Sequence, residues 1–265
     1  MNAKTSSALC FAVLSLATSG CGTDTTASNT GTVPWDHQRT QIVGPDGTTT
    51  ELAPAADNAC ITYESACLKP AEKCGTQAAD IVLDSQGKPL DYLCYPGAST
   101  LTVQDLQAMQ GDIAQNKNDT VLVLADGAQV TGKLAIAANN VVIYGSSPSA
   151  ATVTGPLTLD GNNALVRGVR IKGDVTITKN DATLAFCVIE GNLTISGNNT
   201  RLLACDVLGA VTVTGNNTQL HADHIAGKLS ISGKNTDCEE DFAATDTNAN
   251  HSLEHSELGA AISCK

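Results

Sequence analysis

The chain has 265 residues and a formal net charge of −12, and hydrophobic residues make up 42% of it. A chain this acidic has little positive charge with which to neutralise a run of phosphates, so its composition argues against nucleic acid as a partner. Aromatic residues account for only 3% of the sequence, so the core must be built from Val, Ile, Leu, Ala and Thr, which suits stacked strands.

The first 20 residues have the pattern of an export signal. Lys4 supplies a positive charge, and the apolar stretch from Ala8 to Ala17 is too short to span a bilayer. The segment from Thr18 to Cys21 then resembles the lipobox of bacterial lipoproteins, although Thr18 departs from the usual Leu. The resemblance implies a signal peptide over residues 1–20 and a lipid anchor at Cys21, which attaches the protein to a membrane of the cell envelope, the outer membrane by preference. The alternative is an ordinary signal peptide and a secreted protein.

Export places the other cysteines in an oxidising compartment. Of the ten cysteines, Cys10 is removed with the signal and Cys21 is assigned to lipid, which leaves eight. An even number there indicates disulfide bonds rather than a zinc site. One local group, within residues 59–97, consists of Cys60, Cys67, Cys74 and Cys94. We predict a small disulfide-rich module over 59–97, whose connectivity the spacing leaves open.

The segment before this module, residues 21–58, is rich in Thr, Ala, Gly, Asn and Pro. That composition buries too little apolar surface to offset chain entropy, so it predicts a flexible tether. Within the module, Ile81–Leu83 and Leu90–Leu93 predict a hairpin turned around Gly87.

The pattern changes to helical spacing from Thr102 to about Asn116. Apolar residues recur there three and four residues apart, at Val103, Leu106, Met109 and Ile113. The spacing predicts an amphipathic helix that plugs the open N-terminal end of the β-repeats which follow.

Gly/Asn-rich repeats dominate the rest of the chain. Their units begin GKLAIAANN, GPLTLDGNN, GDVTITKND, GNLTISGNN, GAVTVTGNN and GKLSISGKN. The period is 18 residues from Gly155 onward, and the first step, from Gly132, is 23 residues. A fixed period with alternating apolar residues indicates a solenoid with about three strands per coil. We therefore predict a mainly β protein, with a capping helix and a single-stranded parallel β-helix over 98–237. The right-handed form is favoured because the apolar places do not repeat every six residues.

Gly and Asn recur where each coil must turn, because both tolerate positive φ. Stacked coils bring like residues about 4.8 Å apart. We therefore expect a ladder of amide side chains formed by Asn139, Asn162, Asn180, Asn198 and Asn216. These repeats resemble a bacterial envelope family of unknown function built from LTVSGNNNTV-like units. The resemblance implies a fold and a cell-envelope setting but no reaction.

The C-terminal segment from Asp246 to Leu258 resembles the EF-hand calcium loop. Its oxygen ligands would be Asp246, Asn248, Asn250, Ser252 through its carbonyl, Glu254 through a water, and Glu257 with two oxygens. The resemblance implies one Ca²⁺ site flanked by helices that pack through Phe242, Leu258 and Ile262. His251 occupies the sixth place, which is usually Gly because φ is positive there. With two neutral Asn ligands as well, we expect weak binding, in about the 10⁻⁴–10⁻³ M range of extracellular modules. The alternative is a degenerate loop that no longer binds.

The last four cysteines lie in the repeats and at the C-terminus. Cys238 and Cys264 bracket the predicted loop, so a disulfide between them would pin a calcium cap over residues 238–265. Cys187 and Cys205 lie one coil apart on one register, and both a disulfide and a pair of buried thiols remain open.

Two further features of the repeats are candidate sites. Outward Thr-x-Thr rows, such as Thr194/Ser196 and Thr212/Thr214, resemble the ice-binding faces of some β-solenoid antifreeze proteins, but Thr is also a good exposed strand residue. His221, Asp223 and His224, with Asp206 one coil earlier, form a cluster that could be a metal or catalytic site. Asp206 and His224 share a register, which favours a surface ion pair instead.

Together these features predict a non-enzymatic, calcium-binding envelope lipoprotein. A solenoid presents a long, regular face, so binding or adhesion to a polysaccharide or an envelope protein is the leading hypothesis. The alternative is a carbohydrate-active β-helix enzyme, of the polysaccharide lyase or hydrolase kind, which would need a groove with converging carboxylates. Ice binding is the third hypothesis.

Overall fold

A computed structural model describes residues 33–35, 40–43, 49–52, 60–63, 66–97 and 101–264. The predicted signal peptide over 1–20 and the predicted lipidation site, Cys21, lie outside these residues. In the part of the chain that is described, no helix is long and apolar enough to cross a membrane.

The first part of the described chain forms a small module, which comprises the described residues between 33 and 97. Its elements are β1 (Thr40–Val43), β2 (Thr49–Leu52), β3 (Ile61–Tyr63), β4 (Ala66–Leu68), α1 (Pro70–Cys74), β5 (Ala79–Leu83) and β6 (Pro89–Cys94). One sheet has the strand order β2-β1-β5-β6, and β3 and β4 form a separate hairpin. The predicted hairpin is confirmed, because β5 and β6 pair antiparallel and Gly87 lies between them with a φ of 75°.

Two disulfides join the elements of the module. Cys60–Cys67 closes the β3–β4 hairpin, and Cys74–Cys94 joins the end of α1 to the end of β6. Both bridges fall among the four cysteines predicted to pair. They cross-link a unit whose apolar core is too small to hold it together alone.

The prediction of a flexible tether over residues 21–58 is wrong where β1 and β2 lie. β1 pairs parallel with β5 and antiparallel with β2. Its Ile42 is buried against Leu68, Ile81 and Leu83. The average composition of the segment does not predict this strand. One buried Ile on a short strand is enough to extend a sheet that already exists.

The rest of the described chain is a parallel β-solenoid of about eight turns, as predicted. Column one is the seven-stranded sheet: β8 (Ile113–Gln115), β10 (Leu134–Ile136), β13 (Leu157–Leu159), β16 (Val175–Ile177), β19 (Leu193–Ile195), β22 (Val211–Val213) and β25 (Leu229–Ile231). Column two contains β7 (Thr102–Gln110), β9 (Thr120–Thr131), β11 (Val141–Gly145), β14 (Leu165–Arg167), β17 (Thr183–Ala185), β20 (Arg201–Leu203), β23 (Gln219–His221) and β26 (Asp237–Glu239).

The long strand β9 continues around a corner and opens column three. This column adds β12 (Thr152–Val153), β15 (Arg170–Ile171), β18 (Val188–Ile189), β21 (Asp206–Val207), β24 (His224–Ile225), β27 (Phe242–Ala244) and β28 (Leu258–Ala261). Every neighbouring pair in the three columns is parallel, apart from the last pair, β27 and β28, which is antiparallel.

Like residues stack on like inside the solenoid because neighbouring coils are in register. In column one, for example, Val175 pairs with Leu193 and Ile177 with Ile195. Buried Val, Ile and Leu side chains from all three columns form one continuous core. Truncating one such side chain to Ala typically costs about 2–5 kcal/mol, so the stack depends on this aliphatic interior.

The predicted amide ladder is confirmed at the corner between columns one and two. Asn139 Oδ1 accepts the backbone N–H of Asn162 at 2.8 Å, and Asn180 Oδ1 accepts that of Asn198 at 3.0 Å. Asn198 in turn accepts the N–H of Asn216 at 2.9 Å. The residue after each ladder Asn has a φ between 54° and 61°, which Asn and Asp tolerate better than most residues. The corner polar groups are thus satisfied from one coil to the next.

The glycine that opens each repeat is required by close approach of the backbone. A Cβ atom on Gly209 would lie 2.2 Å from the carbonyl oxygen of Gly191, one coil earlier. Any larger side chain would therefore push neighbouring coils apart.

The predicted capping helix over Thr102–Asn116 is wrong, because Thr102–Gln110 is the strand β7, which pairs with β9. Val103 is buried on the outer face of the column, under the module, and Leu106 is buried in the solenoid core. Residues three apart on a strand face opposite sides. Because both sides of β7 are covered, its apolar residues imitate helical spacing.

The predicted helix–loop–helix at the C-terminus is also wrong. Phe242–Ala244 is strand β27, which extends column three, and Leu258–Ala261 is strand β28. The helical content of the unit is a single 3₁₀ turn at His255–Glu257. A helix in place of β27 would have left the N–H and C=O groups of β24 without their ladder partners, which explains why the flanks are extended.

Even so, this segment closes the solenoid. Cys238 and Cys264 form the predicted disulfide, with 5.6 Å between their Cα atoms, and Ile262 packs against the end of the core. Cys187 and Cys205 are instead free, buried thiols.

Candidate functional site

The predicted calcium loop connects β27 to β28, and its own side-chain oxygens shape it. Asp246 accepts two backbone N–H groups: that of Asn250 on Oδ1 at 3.2 Å and that of His251 on Oδ2 at 3.0 Å. Asn248 Oδ1 accepts the N–H of Asn250, and Asn250 Oδ1 accepts that of Ser252, each at 2.9 Å. These bonds curl the backbone around the first, third and fifth ligand places. His251, in the place usually taken by Gly, has the expected positive φ, 60°.

Glu257 brings the end of the loop back to its beginning. Its Oε1 accepts both the N–H and the hydroxyl of Thr247 at 2.8 Å, and its Oε2 accepts the N–H of Glu254 at 3.1 Å. The hydrogen bonds from Glu254 and Thr247 lower the pKa of the Glu257 carboxyl below its ordinary value. The carboxylate of Glu257, at the twelfth place of the loop, therefore lies beside Thr247, the residue that follows Asp246 at the first place.

The donor atoms of this loop are all oxygens, the atom type that Ca²⁺ prefers. Among the described residues, no group of three or more His, Cys, Asp or Glu side chains is arranged to hold a metal ion. A cation here would therefore need the neutral oxygens of Asn248, Asn250 and Ser252 beside the carboxylates of Asp246 and Glu257. By donor type and by their order along the loop, the residues fit calcium.

The loop folds back along column three and contacts earlier coils. Arg170 donates to the carbonyl oxygen of His251 at 2.8 Å and to Glu190 at 3.0 Å. Leu253 is buried, and its N–H lies 3.4 Å from Asp206 Oδ2. Asp206 also forms the predicted pair with His224 Nδ1, at 2.9 Å. The loop is thus a strap along one side of the solenoid as well as part of its end.

The small module docks on the outer face of column two, and a buried arginine holds the contact. Arg167 is 2% exposed, and its Nε lies 3.1 Å from Oδ2 of Asp80 in the module. The guanidinium also donates to the carbonyl of Gly145 at 2.9 Å and to Gln41 Oε1 at 3.0 Å. The charge is therefore compensated by a carboxylate and by oxygens from both units.

Aromatic side chains pack around this ion pair. Trp35 stacks on Tyr95 with ring centroids 4.8 Å apart and contacts Tyr144 at 5.6 Å. The Trp35 indole N–H donates to the carbonyl of Pro96 at 3.1 Å. The single Trp of the chain therefore lies at the interface between module and solenoid.

A second polar contact joins the module to later coils. Asp91, on β6, accepts a hydrogen bond from Arg201, on β20, and lies 2.9 Å from Nδ1 of His221, on β23. Although burial opposes it, the hydrogen bond from His221 and the charge of Arg201 lower the pKa of Asp91. Burial likewise opposes the protonated form of His221, but Asp91 raises the pKa of His221 above its ordinary value. The contact is therefore an ion pair under mildly acidic conditions.

A groove of about 390 Å³ lies between the two units. Leu93 and Pro96 of the module line one side, and Val142, Asn163, Asp181 and Arg201 line the side formed by column two and its corner. The corner residues belong to a second amide ladder, in which Nδ2 of one coil donates to Oδ1 of the preceding coil, as between Asn199 and Asp181 at 2.9 Å. The groove thus combines an apolar floor with a regular polar rim.

A column of buried polar side chains occupies the corner between columns two and three. Asp223 Oδ1 accepts the N–H of Cys205, and Asp241 Oδ1 accepts the N–H of Asp223, each at 2.8 Å. Oδ2 of both aspartates has no hydrogen-bond partner. Burial and mutual repulsion raise the pKa of Asp223 well above its usual value, and burial raises that of Asp241 to about 7.

The outward Thr rows lie on column one, as predicted. Thr176, Thr194 and Thr212 are in register on consecutive strands. In the second row, Thr178 donates to Asp160 at 2.6 Å and Ser196 to a backbone carbonyl, so several of these hydroxyls are used within the protein.

The sequence predicts the candidate loop but not the groove. The predicted loop ligands lie within twelve consecutive residues, whereas Asp91 and His221 are 130 residues apart and meet only because the module docks on column two. The available signal was the outward face of column two, where Tyr144, Arg167 and Leu203 stand where polar residues would be expected on a solvated strand.

Comparison with models of protein families, with curated proteins and with solved structures finds no match for this chain. The resemblance of the repeats to the LTVSGNNNTV-like envelope family therefore stays a prediction. β-Solenoids occur among both enzymes and non-enzymes, so function has to be argued from the sites. The structure shows a parallel β-solenoid on which a disulfide-bonded module is docked.

Proposed function

We propose that this protein is a calcium-stabilised, non-enzymatic binding protein of the bacterial cell envelope that holds a polysaccharide in the groove between its module and its solenoid. The groove is the observation that carries the binding role, since ligand sites are concave, with an apolar lining and a few ordered polar groups. Export and lipid attachment at Cys21 are part of the proposal and rest on the N-terminal sequence pattern.

The chemistry of the groove favours an uncharged or amino-substituted sugar chain. Asn140, Asn163 and Asp181 present amide and carboxylate groups at successive coils, which suits a ligand with repeated hydroxyls. Val142 and Leu165 supply an apolar surface for the C–H faces of sugar rings. Since Arg201 is already paired with Asp91, the remaining carboxylates disfavour a polyanion.

A glycan array probed with the soluble chain lacking residues 1–21 tests this role. We expect neutral or amino-sugar polymers to bind better than uronic-acid polymers. Thr183, which lines the groove, gives a blocking variant, Thr183→Met, that should lower the affinity at least tenfold. Thr176→Met, on the outer face of column one, is the matched control. Equal loss in both variants, or in neither, would contradict the proposal.

Calcium binding by the loop is supported by the hydrogen bonds that order Asp246, Asn248, Asn250 and Glu257. Calorimetric titration should give one site with a Kd of about 10⁻⁴–10⁻³ M. At 10 mM calcium this corresponds to a stabilisation of about 1.5–3 kcal/mol. Glu257→Gln should remove both effects, and Glu72→Gln, on the exposed surface of the module, should leave them unchanged. An unfolding midpoint that does not respond to calcium would overturn this part of the proposal.

The runner-up is a carbohydrate-active enzyme, which the groove itself favours because it contains two carboxylates, Asp119 and Asp181. These two lie three coils apart, or roughly 14 Å at about 4.8 Å per coil. Paired glycosidase carboxylates are separated by about 5–9.5 Å, so the spacing of this pair counts against a glycosidase and favours the binding protein. Release of reducing or unsaturated ends from any polysaccharide bound in the array would favour the enzyme over the binding protein.

A further inference from the structure

We propose that His221 is a proton-controlled clamp, which tightens the module against the solenoid when protonated and loosens that end of the module when neutral. The docking contact stands whether or not a ligand is bound. Its consequence for ligand access rests on the function proposed above, because the clamp closes the Arg201 end of the groove.

His221 contacts the module at one end of the interface, and the Arg167–Asp80 pair lies at the other end. His221 Nδ1 lies 2.9 Å from Oδ2 of Asp91 on β6, the strand that also contributes Leu93 and Cys94 to the groove. At the other end of the interface, Arg167 and Asp80 form a contact that does not titrate near neutral pH, since arginine stays charged. The module is therefore fixed at one end, and at the other end Asp91 is shared between Arg201, which stays charged, and His221, which titrates.

The second nitrogen of His221 explains why the protonated form is favoured. Nε2 is buried without a hydrogen-bond partner and lies 3.7 Å from Oδ2 of Asp237 on β26. A neutral imidazole with its proton on Nδ1 would leave Nε2 as a bare acceptor facing a carboxylate. The imidazolium instead presents N–H groups to both Asp91 and Asp237.

Of the described charged groups around His221, all but one favour its protonated form. Asp91 faces it from the module, and Asp237 attracts the imidazolium from the following coil, as does Asp241 once it ionises at about pH 7. Glu239 is its register partner across the strands β23 and β26. Arg201, one coil earlier, is the opposing charge, and it is bound to Asp91. Acidic neighbours thus outnumber basic ones.

The direction of the pH dependence follows from these contacts. The pKa of His221 is raised in the folded protein, so its contribution to docking is complete below the ordinary pKa of about 6.5 and is lost as the pH rises through the raised value. The pKa of Asp91 is lowered, so its contribution is present above its ordinary pKa and is lost only in strong acid. Docking is therefore tightest in mild acid and loosens on the alkaline side.

Trp35 reports on the other end of the interface, because it packs on Tyr144 beside Arg167 and is 3% exposed. As the pH rises from 5.5 to 9, its emission should stay unchanged, while the protection factors of the β6 amides, which are corrected for the pH dependence of intrinsic exchange, should fall. The ratio of the tightened to the loosened form should fall by no more than about tenfold per pH unit, as expected for one proton.

His221→Gln should abolish this pH transition and leave the coils folded, as judged by an unchanged far-ultraviolet circular dichroism spectrum. His224→Gln is the matched control, since His224 is also paired with an aspartate but faces away from the module. It should retain the wild-type transition. A flat wild-type profile of β6 protection, or a transition retained in His221→Gln, would overturn the clamp.

A third measurement separates this proposal from the proposed function. The exchange profiles are recorded without any glycan, so they test the clamp even if no glycan binds. Conversely, a groove that binds sugar equally well at pH 5.5 and pH 8.5, in a protein whose β6 protection factors do not change with pH, would overturn the clamp and leave the binding role standing.

Discussion

At the scale of single residues, one corner column changes its chemistry along the solenoid. The same place in successive coils is occupied by Cys187, Cys205, Asp223 and Asp241, and each side chain from Cys205 onward accepts an N–H group from the preceding coil. The shared register of all four is visible in the sequence, but the burial of the two aspartates is not, because burial at a corner does not follow from alternation. The column therefore places two carboxyls where water cannot solvate their charge.

The aspartates of this column should make the protein more stable in acid than in base. The pKa of Asp241 is raised to about 7, so its favourable contribution is present below the ordinary value and lost as the pH rises through about 7. Asp241→Asn keeps an acceptor for the N–H of Asp223 and removes the charge. We expect this variant to gain roughly 1–3 kcal/mol over wild type at pH 8.5 and less at pH 5, where the carboxyl is ionised only in the unfolded chain. Denaturant unfolding at both pH values measures the difference.

Asp174→Asn is the matched control for that experiment, because Asp174 also accepts an N–H from the next coil, that of Asn192, but is exposed. Its stability should stay within about 0.5 kcal/mol of wild type at both pH values. A variant at Asp241 with the same pH dependence as wild type would show that the buried carboxyl is not the group that titrates.

At the scale of elements, the sequence predicted strands well wherever the period was complete and failed at both ends of the solenoid. β7 was expected to be a helix, because its apolar residues serve two cores on opposite faces. β27 was expected to be a helix because the loop resembles one that helices usually flank. In both cases the neighbouring coil offered an unpaired strand edge, and this long-range partner decided the outcome over the local pattern.

The last coil has no following coil to cover it, so its closure depends on the disulfide. Cys238–Cys264 closes a loop with a sequence separation of 26 and holds β28 and Ile262 over the end of the core. Replacing both cysteines with Ala should lower the free energy of unfolding by about 3–4 kcal/mol. Hydrogen exchange should rise first in β26, β27 and β28. Uniform loss of protection throughout the solenoid would instead show that the end does not unfold separately.

At the scale of the whole molecule, each coil contacts mainly its neighbours, as in other solenoids. Two segments, the module and the strap, also contact coils that are not their neighbours. The module bridges column two from Tyr144 to His221, and the strap from Asp246 to Glu257 reaches back along column three to Arg170. The number of coils between these anchor points is therefore fixed, although the repeat itself would permit any number.

Duplication of one coil separates these two constraints. Repeating residues 209–226 directly after Ala226 preserves every register within the coils and leaves the module's contacts at Arg167, Arg201 and His221 in place. It moves the strap one coil, about 4.8 Å, further from Arg170. The residues then opposite the strap are Val188 and Leu208 in place of Arg170 and Glu190, which cannot make the same polar contacts.

We therefore expect the duplicated protein to fold, with an unchanged Trp35 emission spectrum, since the module still docks. The strap should lose its anchor, so the segment 245–257 should become sensitive to protease, and calcium should stabilise the protein less than it stabilises wild type. The Arg170→Met variant, which removes the anchor without adding a coil, should reproduce this protease sensitivity. If the duplicated protein protects the strap as well as wild type does, the contact with His251 is incidental, and closure of the solenoid depends on its last coil alone.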